Sequence, residues 1–422
     1  MRYLLAILIG RAARVLIRFI RPGGGSALPG LILSKLAPKL LAKTFASFAD
    51  GVIVVTGSAG KSTTTKMLVA IARAHGKAVF TNPSTANITQ GFYSAVIERS
   101  NLLGAIPGDV AILEMDEGHA ASLTEMFAPR GVAILNVLED QLDRFVDPAL
   151  VRKKLSDVAK RSLGPVVLNA DDQNLLLIAK DVTDSQTSWF GLSPDVAKMG
   201  RAGLGVAATY LDLIERPETQ TEITNVSGQS AEARVFDSQV RFELPNRGLH
   251  YATDAAAALE MARRYLGTAF EPELAAKVLT ELPPVFARGE IASVNGEDVE
   301  FILVQNPSSF QLNLDNLLPK TEQIMLAIGR DVHDPSWLWT VDLTNLTHAN
   351  VVSGYNFAEI ALRLSFDDIP MGVIEEDLEI ALEQFFALPS PSVGHKTVIF
   401  SADAMRRTRR ILGFNDPESV DR

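Results

Sequence analysis

Lys61 and Ser62 follow a short glycine loop, Thr56-Gly57-Ser58-Ala59-Gly60, which itself follows an apolar, β-branched run at residues 52–55. Helical periodicity continues from Lys61 to about His75. Strand, glycine loop and helix in that order make a phosphate cradle. Glycines at 57 and 60 let the backbone turn its amide N–H groups toward phosphate oxygens, and the helix start adds the positive end of its dipole. In such a loop the lysine amine reaches the β- and γ-phosphates of a nucleoside triphosphate such as ATP, and the serine hydroxyl ligates Mg²⁺. The commoner loop has a further glycine where Val55 stands, so this is a shortened variant. Gly57, Ser58, Ala59, Gly60, Lys61, Ser62 and Thr63 are the expected nucleotide contacts. A chance Gly-x-x-Gly-Lys-Ser in a surface turn is the bland alternative, and the place directly after an apolar strand argues against it.

In open parallel sheets, ligands gather beyond the carboxyl ends of the strands. Polar residues stand at several such ends. Glu114 closes one apolar run and is followed by Asp116 and Glu117. One of these acids suits Mg²⁺, which prefers oxygen ligands, although a solvated acidic loop has the same composition. Asn136 closes the next run, ahead of Asp140-Gln-Leu-Asp-Arg144, and Asn169-Ala-Asp-Asp172 closes another. Thr81-Asn-Pro-Ser-Thr-Ala-Asn87 leaves a strand near the glycine loop, and Asn87 serves either the triphosphate, the substrate or plain turn chemistry. Arg288 stands just past a Pro-Pro hinge. A cation there could reach a γ-phosphate when two domains close, and it equally suits a surface ion pair. Asp331-Val-His-Asp-Pro-Ser-Trp-Leu-Trp339 follows a late strand. Asp331 opens this loop as a nucleotide-binding candidate, and Asp334 is a carboxylate able to orient a histidine if one is supplied.

The elements that must position these residues follow from periodicity. Apolar runs at 52–55, 78–81, 110–113, 132–136 and 166–169, separated by helical segments, predict a parallel sheet with helices on both faces. Residues 31–49 read as a helix leading into the first strand, after a flexible joint at 22–30. Residues 193–244 change to short polar segments, an inserted β-rich excursion. An alanine-rich helix is expected at 254–266 and a hinge at Glu281-Leu-Pro-Pro284. Runs at 301–305, 324–328, 350–353 and 397–401 then alternate with helical segments at 357–364, 376–386 and 404–412. The expected fold class is α/β: a central phosphate-loop parallel-sheet ATPase domain with the β-rich excursion, plus a C-terminal Rossmann-like α/β domain. The divisions are a helical leader at 1–48, the ATP-binding domain at 49–284 and the last domain at 285–422.

Composition narrows the functions. A chain of 422 residues needs more than one core. Its 47% hydrophobic and 21% charged residues are ordinary for a globular protein. A net charge of −10 and no basic, aromatic-rich patch exclude a nucleic-acid-binding reading. With no cysteine there is no disulfide, thiolate zinc site or catalytic thiol on this chain, and a reducing, cytoplasmic compartment fits. Residues 1–20 are apolar but interrupted by Arg2, Arg11, Arg14 and Arg18. The uncharged run at 3–10 is too short to span a bilayer, and no small-residue cleavage site follows it. This segment is expected to be an amphipathic helix packed on its own domain, with a helix lying on an anionic membrane surface as the alternative.

Taken together, these residues resemble the Mur ligase superfamily, most closely its MurT-type branch. Arg21-Pro-Gly-Gly-Gly-Ser-Ala-Leu-Pro-Gly30 is similar to that branch's leader, and Thr56-Gly-Ser-Ala-Gly-Lys-Ser-Thr-Thr64 to its phosphate loop. Thr81-Asn, Ala86-Asn87, Glu114-Met-Asp-Glu117, Asp140-Gln-Leu-Asp-Arg144 and Asn169-Ala-Asp-Asp172 fall in the family's order, and Asp334-Pro-Ser-Trp-Leu-Trp339 resembles a signature of the branch's C-terminal domain. The resemblance implies ATP-dependent amidation of the α-carboxylate of D-isoglutamate in the lipid II stem peptide, through an acyl phosphate. Ammonia would come from a GatD-type glutamine amidotransferase partner. It also implies Lys61, Glu114 and Asp334 as catalytic residues, with Asp334 completing the partner's Cys–His pair. Ser62 and Glu114 would be the Mg²⁺ ligands, and Asn87, Asn169, Arg288 and Asp331 further nucleotide contacts. The chain departs from the family at four places, one of them Thr340, which replaces an acid common after the Trp pair. Gln141 stands at a position where many members carry His. The four-cysteine zinc ribbon is missing, so no zinc is expected. Tyr251 and Asp254 replace the usual asparagines near the adenine. A partner-free Mur-type amino-acid ligase and a non-catalytic nucleotide-binding scaffold are the competing readings.

Overall fold

Five successive residues of a strand can all be buried only when both of its faces are covered. β1 (Val52–Thr56) is buried at every position. It lies inside a nine-stranded sheet in the computed structural model, which describes residues 2–20, 27–83, 86–138, 147–200, 205–209, 211, 213–283, 288–317 and 321–414. The strand order is β2 (Val79–Phe80), β3 (Val110–Glu114), β1, β4 (Gly131–Ile134), β5 (Val166–Asn169), β6 (Thr187–Leu192), β7 (Thr221–Ser227), β8 (Ser230–Val235) and β9 (Ser238–Glu243). Pairing is parallel from β2 through to β7 and antiparallel from β7 to β9.

Alternate residues feed two cores. Ile53 and Val55 face α4 (Lys61–Ala74), α10 (Leu249–Leu266) and α11 (Pro272–Glu281). Val52 and Val54 face the other side, which is covered by α1 (Arg2–Ile20), α2 (Ala27–Leu36), α3 (Leu40–Phe45), α5 (Thr89–Arg99), α6 (Glu117–Thr124), α7 (Pro148–Lys160) and α8 (Gln173–Ala179). Four consecutive alanines of α10, 255–258, are fully buried, and their small side chains bring the helix close to the strands. Residues 221–243 continue the central sheet. Ile223, Ala233 and Phe242 extend the core beneath α10 and α11, and this apolar packing ties the region to the central body.

The second sheet has the order β10 (Arg288–Val294), β11 (Glu297–Leu303), β15 (Lys396–Phe400), β12 (Ile324–Ala327), β13 (Ala349–Ser353), β14 (Met371–Glu375). Only the β10–β11 hairpin is antiparallel. α12 (Pro307–Asp315) and α13 (Phe357–Phe366) cover one face; α14 (Leu378–Phe386) and α15 (Ala402–Ile411) cover the other. The two bodies touch where Ser308 Oγ of α12 donates to the Gly205 carbonyl at 3.3 Å.

The expected single helix at 31–49 is two helices, α2 and α3, separated at Pro38. A proline cannot donate to the helical ladder and pushes the residue before it out of the α region. α2 also begins earlier than expected, inside the stretch read as a joint. Its Gly30 permits a close crossing, because a Cβ there would lie 1.9 Å from the Gln90 carbonyl oxygen of α5.

Candidate active site

Two glycines and one asparagine set the shape of the loop between β1 and α4. Gly57 has φ +133° and Gly60 φ +83°, conformations that side-chain-bearing residues rarely take. A Cβ on Gly57 would crowd the Asn136 backbone at 3.1 Å, and one on Gly60 would strike Asp254 Oδ1 at 2.1 Å. Asn136, just past β4, holds the turn from the side. Its Oδ1 accepts from the Ala59 N–H at 2.9 Å, its Nδ2 donates to the Ala59 carbonyl at 3.3 Å, and its own carbonyl accepts from the Ser58 N–H at 3.1 Å. Ser58 Oγ accepts from the Leu138 N–H at 3.1 Å. The result is a small, braced concavity at the start of α4, where the first helical amides of a 14-residue helix have no carbonyl partner within the helix. Amides facing a helix start are a setting for phosphate oxygens, and a side chain at either glycine would crowd it.

Lys61 folds over this concavity. Its amine donates to the Gly57 carbonyl at 2.5 Å, the Ser58 carbonyl at 2.9 Å and Glu117 Oε2 at 3.0 Å. Burial opposes the charge, but Glu117, then Glu114 and Asp116, outweigh it and hold the amine above its ordinary pKa. The lysine is therefore a fixed cation, ready to exchange carbonyl and carboxylate partners for phosphate oxygens. Glu114, at the end of β3, is buried and aimed by two asparagines. Asn87 Nδ2 donates to its Oε1 at 3.1 Å. Asn82 grips its backbone, accepting from the Glu114 N–H at 3.0 Å and donating to its carbonyl at 3.1 Å. Ser62, in the first turn of α4, and the Glu114 carboxylate are hard oxygen donors of the kind Mg²⁺ takes together with phosphate oxygens and water. Asp116 is used to cap α6, accepting from the Gly118 N–H at 2.9 Å.

The other expected residues lie in different settings. Asn169, at the end of β5, ties that strand to β4 by donating to the Leu135 carbonyl at 3.2 Å. Asp172 is fully buried and accepts from the Val137 N–H at 2.7 Å, with its pKa pushed up to about 6 by burial. Both side chains brace the strand ends beside the loop. Residues 139–146, including Asp140 and Gln141, lie outside the described residues. Arg288 begins β10. The Asp331 carboxylate accepts from Ser401 Oγ and from the backbone N–H groups of Ala402 and Asp403, at 2.6–2.9 Å, and so anchors the start of α15. Asp334 is exposed at the head of a 3₁₀ turn, Pro335–Thr340, and Ser336 hydrogen bonds, side chain first, hold its carboxyl below its ordinary pKa. That turn is rigid. Leu338 is buried, and Arg363 of α13 donates to the carbonyls of Leu338 and Val341 at 3.2 and 3.1 Å. Lys61, Glu114, Asn87 and Ser62 thus gather at the central sheet, while Asp331, Asp334 and Arg288 belong to the second. Sequence reasoning did not place Asp254 in the loop wall. Its only signal was its place where the family carries an asparagine.

Comparison with known proteins agrees with this division. The family profile "Mur ligase middle domain" matches residues 55–262, and "MurT ligase C-terminal" matches 303–401. A Streptococcus pneumoniae protein named lipid II isoglutaminyl synthase (glutamine-hydrolyzing) subunit MurT is 25% identical over 97% of this chain and 96% of its own length. The chain belongs to the Mur ligase superfamily, in its MurT-type branch. The Staphylococcus aureus subunit MurT is 29% identical over 43% of this chain and 40% of its own length. Among solved structures, MurF ligase from Thermotoga maritima in complex with ADP superposes with a TM-score of 0.66 at 19% identity, covering 91% of this chain and 83% of that one. A bifunctional folylpolyglutamate synthase/dihydrofolate synthase gives 0.61 at 15% identity over 89% and 93%. In this MurT-type chain the glycine loop and Glu114 fall within the middle-domain match, and Asp331 and Asp334 within the C-terminal one.

Proposed function

We propose that this chain is the synthetase subunit of a lipid II amidating complex, an ATP-dependent carbon–nitrogen ligase of peptidoglycan biosynthesis. The substrate is the α-carboxylate of D-isoglutamate in the lipid II stem peptide, presented at the inner face of the membrane. Among the described residues no helix is long and apolar enough to cross that membrane. A carboxylate is a poor electrophile. Its oxygen attacks the γ-phosphorus of ATP, ADP leaves, and the acyl phosphate so formed carries a good leaving group. Ammonia, released from glutamine by a GatD-type partner, attacks the acyl carbon and phosphate departs. Lys61 offsets charge on the transferring phosphoryl group, and the loop amides orient it. Ser62 and Glu114 would hold Mg²⁺, which supplies further charge neutralisation. Asn87 aims the Glu114 carboxylate, while Arg288 and Asp331 contribute from the second sheet when the two bodies close. Asp334 faces outward and orients the partner's catalytic histidine.

The observation that carries this reading is the braced Lys61 loop beside Glu114 in a chain whose residues 303–401 match the MurT ligase C-terminal family. The test is an incubation of the chain and a glutamine amidotransferase with ATP, Mg²⁺, glutamine and lipid II. Amidated stem peptide, seen by mass spectrometry, is expected. Product made by the free chain from an added amino acid would favour a partner-free ligase. Bound ATP without product, in an assembled complex, would leave the scaffold reading.

A further inference from the structure

A helix on the surface of a soluble protein turns its polar residues outward. α1 does the reverse. Among its described side chains the exposed ones are Leu4, Leu5, Leu8, Ile9, Ala12, Val15 and Leu16, all apolar. At 100° per residue they form one unbroken stripe about 140° wide. Leu5, Val15 and Leu16 are 61, 72 and 60% exposed. The arginines between them point inward. Arg11 Nε donates to the Ile97 carbonyl at 3.1 Å, and Arg14 pairs with Glu98 at 2.6 Å, pinning the helix to α5. Ala6 and Ile7 are buried beneath it, so the helix is docked with its oily side facing out.

The charge around this stripe is equally one-sided. Residues 1–49 contain eight Lys and Arg and no Asp or Glu, in a chain whose net charge is −10. Lys35, Lys39 and Lys43 are exposed on and beside α2 and α3. Lys43 Nζ lies over the Tyr3 ring at 4.8 Å, on the packed side of α1, and donates to the Leu103 carbonyl at 2.8 Å, which sets one of these cations beside the first turn of the helix. An apolar stripe on an N-terminal segment that carries cations and no acid, in an acidic protein, complements one kind of surface, an anionic lipid interface into which the leucines insert while the lysines meet head groups. A protein partner would not require the complete exclusion of acidic residues.

We infer that the outward face of α1, with the lysines of α2 and α3, docks this chain on an anionic bilayer. This goes beyond the amidation reading and does not depend on it, since the probe vesicles carry no lipid II. The full chain is mixed with vesicles of phosphatidylcholine alone, or with phosphatidylglycerol added, and bound protein is measured by flotation. Binding to the anionic vesicles is expected, with loss of about tenfold or more in Leu8→Glu/Leu16→Glu. Lys35→Ala/Lys39→Ala should weaken anionic binding about thirtyfold, five- to sixfold per lysine, and remove the preference over neutral vesicles. All substituted residues are exposed, and an unchanged thermal midpoint verifies the fold. The inference is overturned if the wild-type chain fails to float with anionic vesicles, or if the Glu variant floats equally well. It is also overturned if the wild type is a dimer that the Glu variant dissociates while neither binds lipid. Loss of amidation with vesicle binding intact would count against the enzymatic reading alone.

Discussion

Lys61 is held by two loop carbonyls and one glutamate, so removing its amine leaves the β-strand and helix on either side intact while taking the cation from the phosphate cradle. Lys61→Ala should lower ATP turnover by at least about a hundredfold, the scale of removing one preorganised charge-stabilising group, with an unchanged circular dichroism spectrum. Unaltered turnover would remove the loop from the reaction. The glycines allow a sharper comparison. Gly60 and Gly76 have nearly the same dihedral, φ +83° and +81°. A Cβ on Gly60 meets Asp254 at 2.1 Å, whereas one on Gly76 meets nothing within 4 Å. Gly76→Ala should therefore cost only the left-handed backbone term, about 1–2 kcal/mol, and leave nucleotide binding alone. Gly60→Ala should cost more in urea melts and weaken nucleotide binding. Equal losses would mean that Asp254 yields freely. The glycine spacing was readable from sequence because it is local. The walls of the cradle were not, since Asn136 and Asp254 reach the loop only once β4 and α10 are in place.

At the level of elements, continuous apolar runs announced β1, β3, β4 and β5 because strands buried on both faces need no alternation. β14 was missed. It is the edge strand of its sheet, buries no residue fully and carries a glycine at its second position, so its short apolar run does not announce a core strand. The break between α2 and α3 was written in Pro38, and the apolar residues on both sides obscured it. Contacts that tie elements together were invisible for a different reason: they join distant segments. Asp50, just before β1, accepts from Lys77 Nζ at 2.8 Å and from the Tyr265 hydroxyl of α10 at 2.7 Å. Lys77 first and Tyr265 second hold its carboxyl below the ordinary value of 3.8, against the opposing effect of burial. The folded state then binds fewer protons than the unfolded chain near that pH. The clamp's stabilisation is complete above the unfolded pKa and is lost as pH falls through the lower folded value. Asp50→Asn should cost about 1–2 kcal/mol at pH 7, where two charge-strengthened hydrogen bonds are weakened. The gap between variant and wild type in urea melts should narrow as pH drops below 4. A gap independent of pH would assign the loss to packing.

On the scale of the whole molecule, two α/β bodies divide the proposed work, and the alternation of strands and helices made both visible in the sequence. The way β7–β9 carry the central sheet onward was not, because short polar strands do not state which edge they join. On the proposed reading, phosphoryl transfer belongs to the first body and recognition of the glutaminase to the second. Asp334 gives that division a test. Its carboxylate is exposed and turned outward, on a 3₁₀ turn fixed to the core by Leu338 and Arg363. Nothing in the described contacts links it to the glycine loop. Asn at this position retains an oxygen to accept from the Ser336 N–H, 3.0 Å away in the wild type, so the turn should persist while the negative charge is lost. If that charge orients a histidine in the partner, Asp334→Asn should reduce glutamine hydrolysis by the complex by up to roughly 10⁴-fold, the loss seen when an orienting aspartate is neutralised. ATP binding by this chain and co-elution of the two subunits should be unchanged. With ammonium supplied in place of glutamine, amidation should recover, since the lost step lies upstream of the acyl phosphate's capture. Normal glutaminase activity in the variant would show that the exposed carboxylate serves only its own turn.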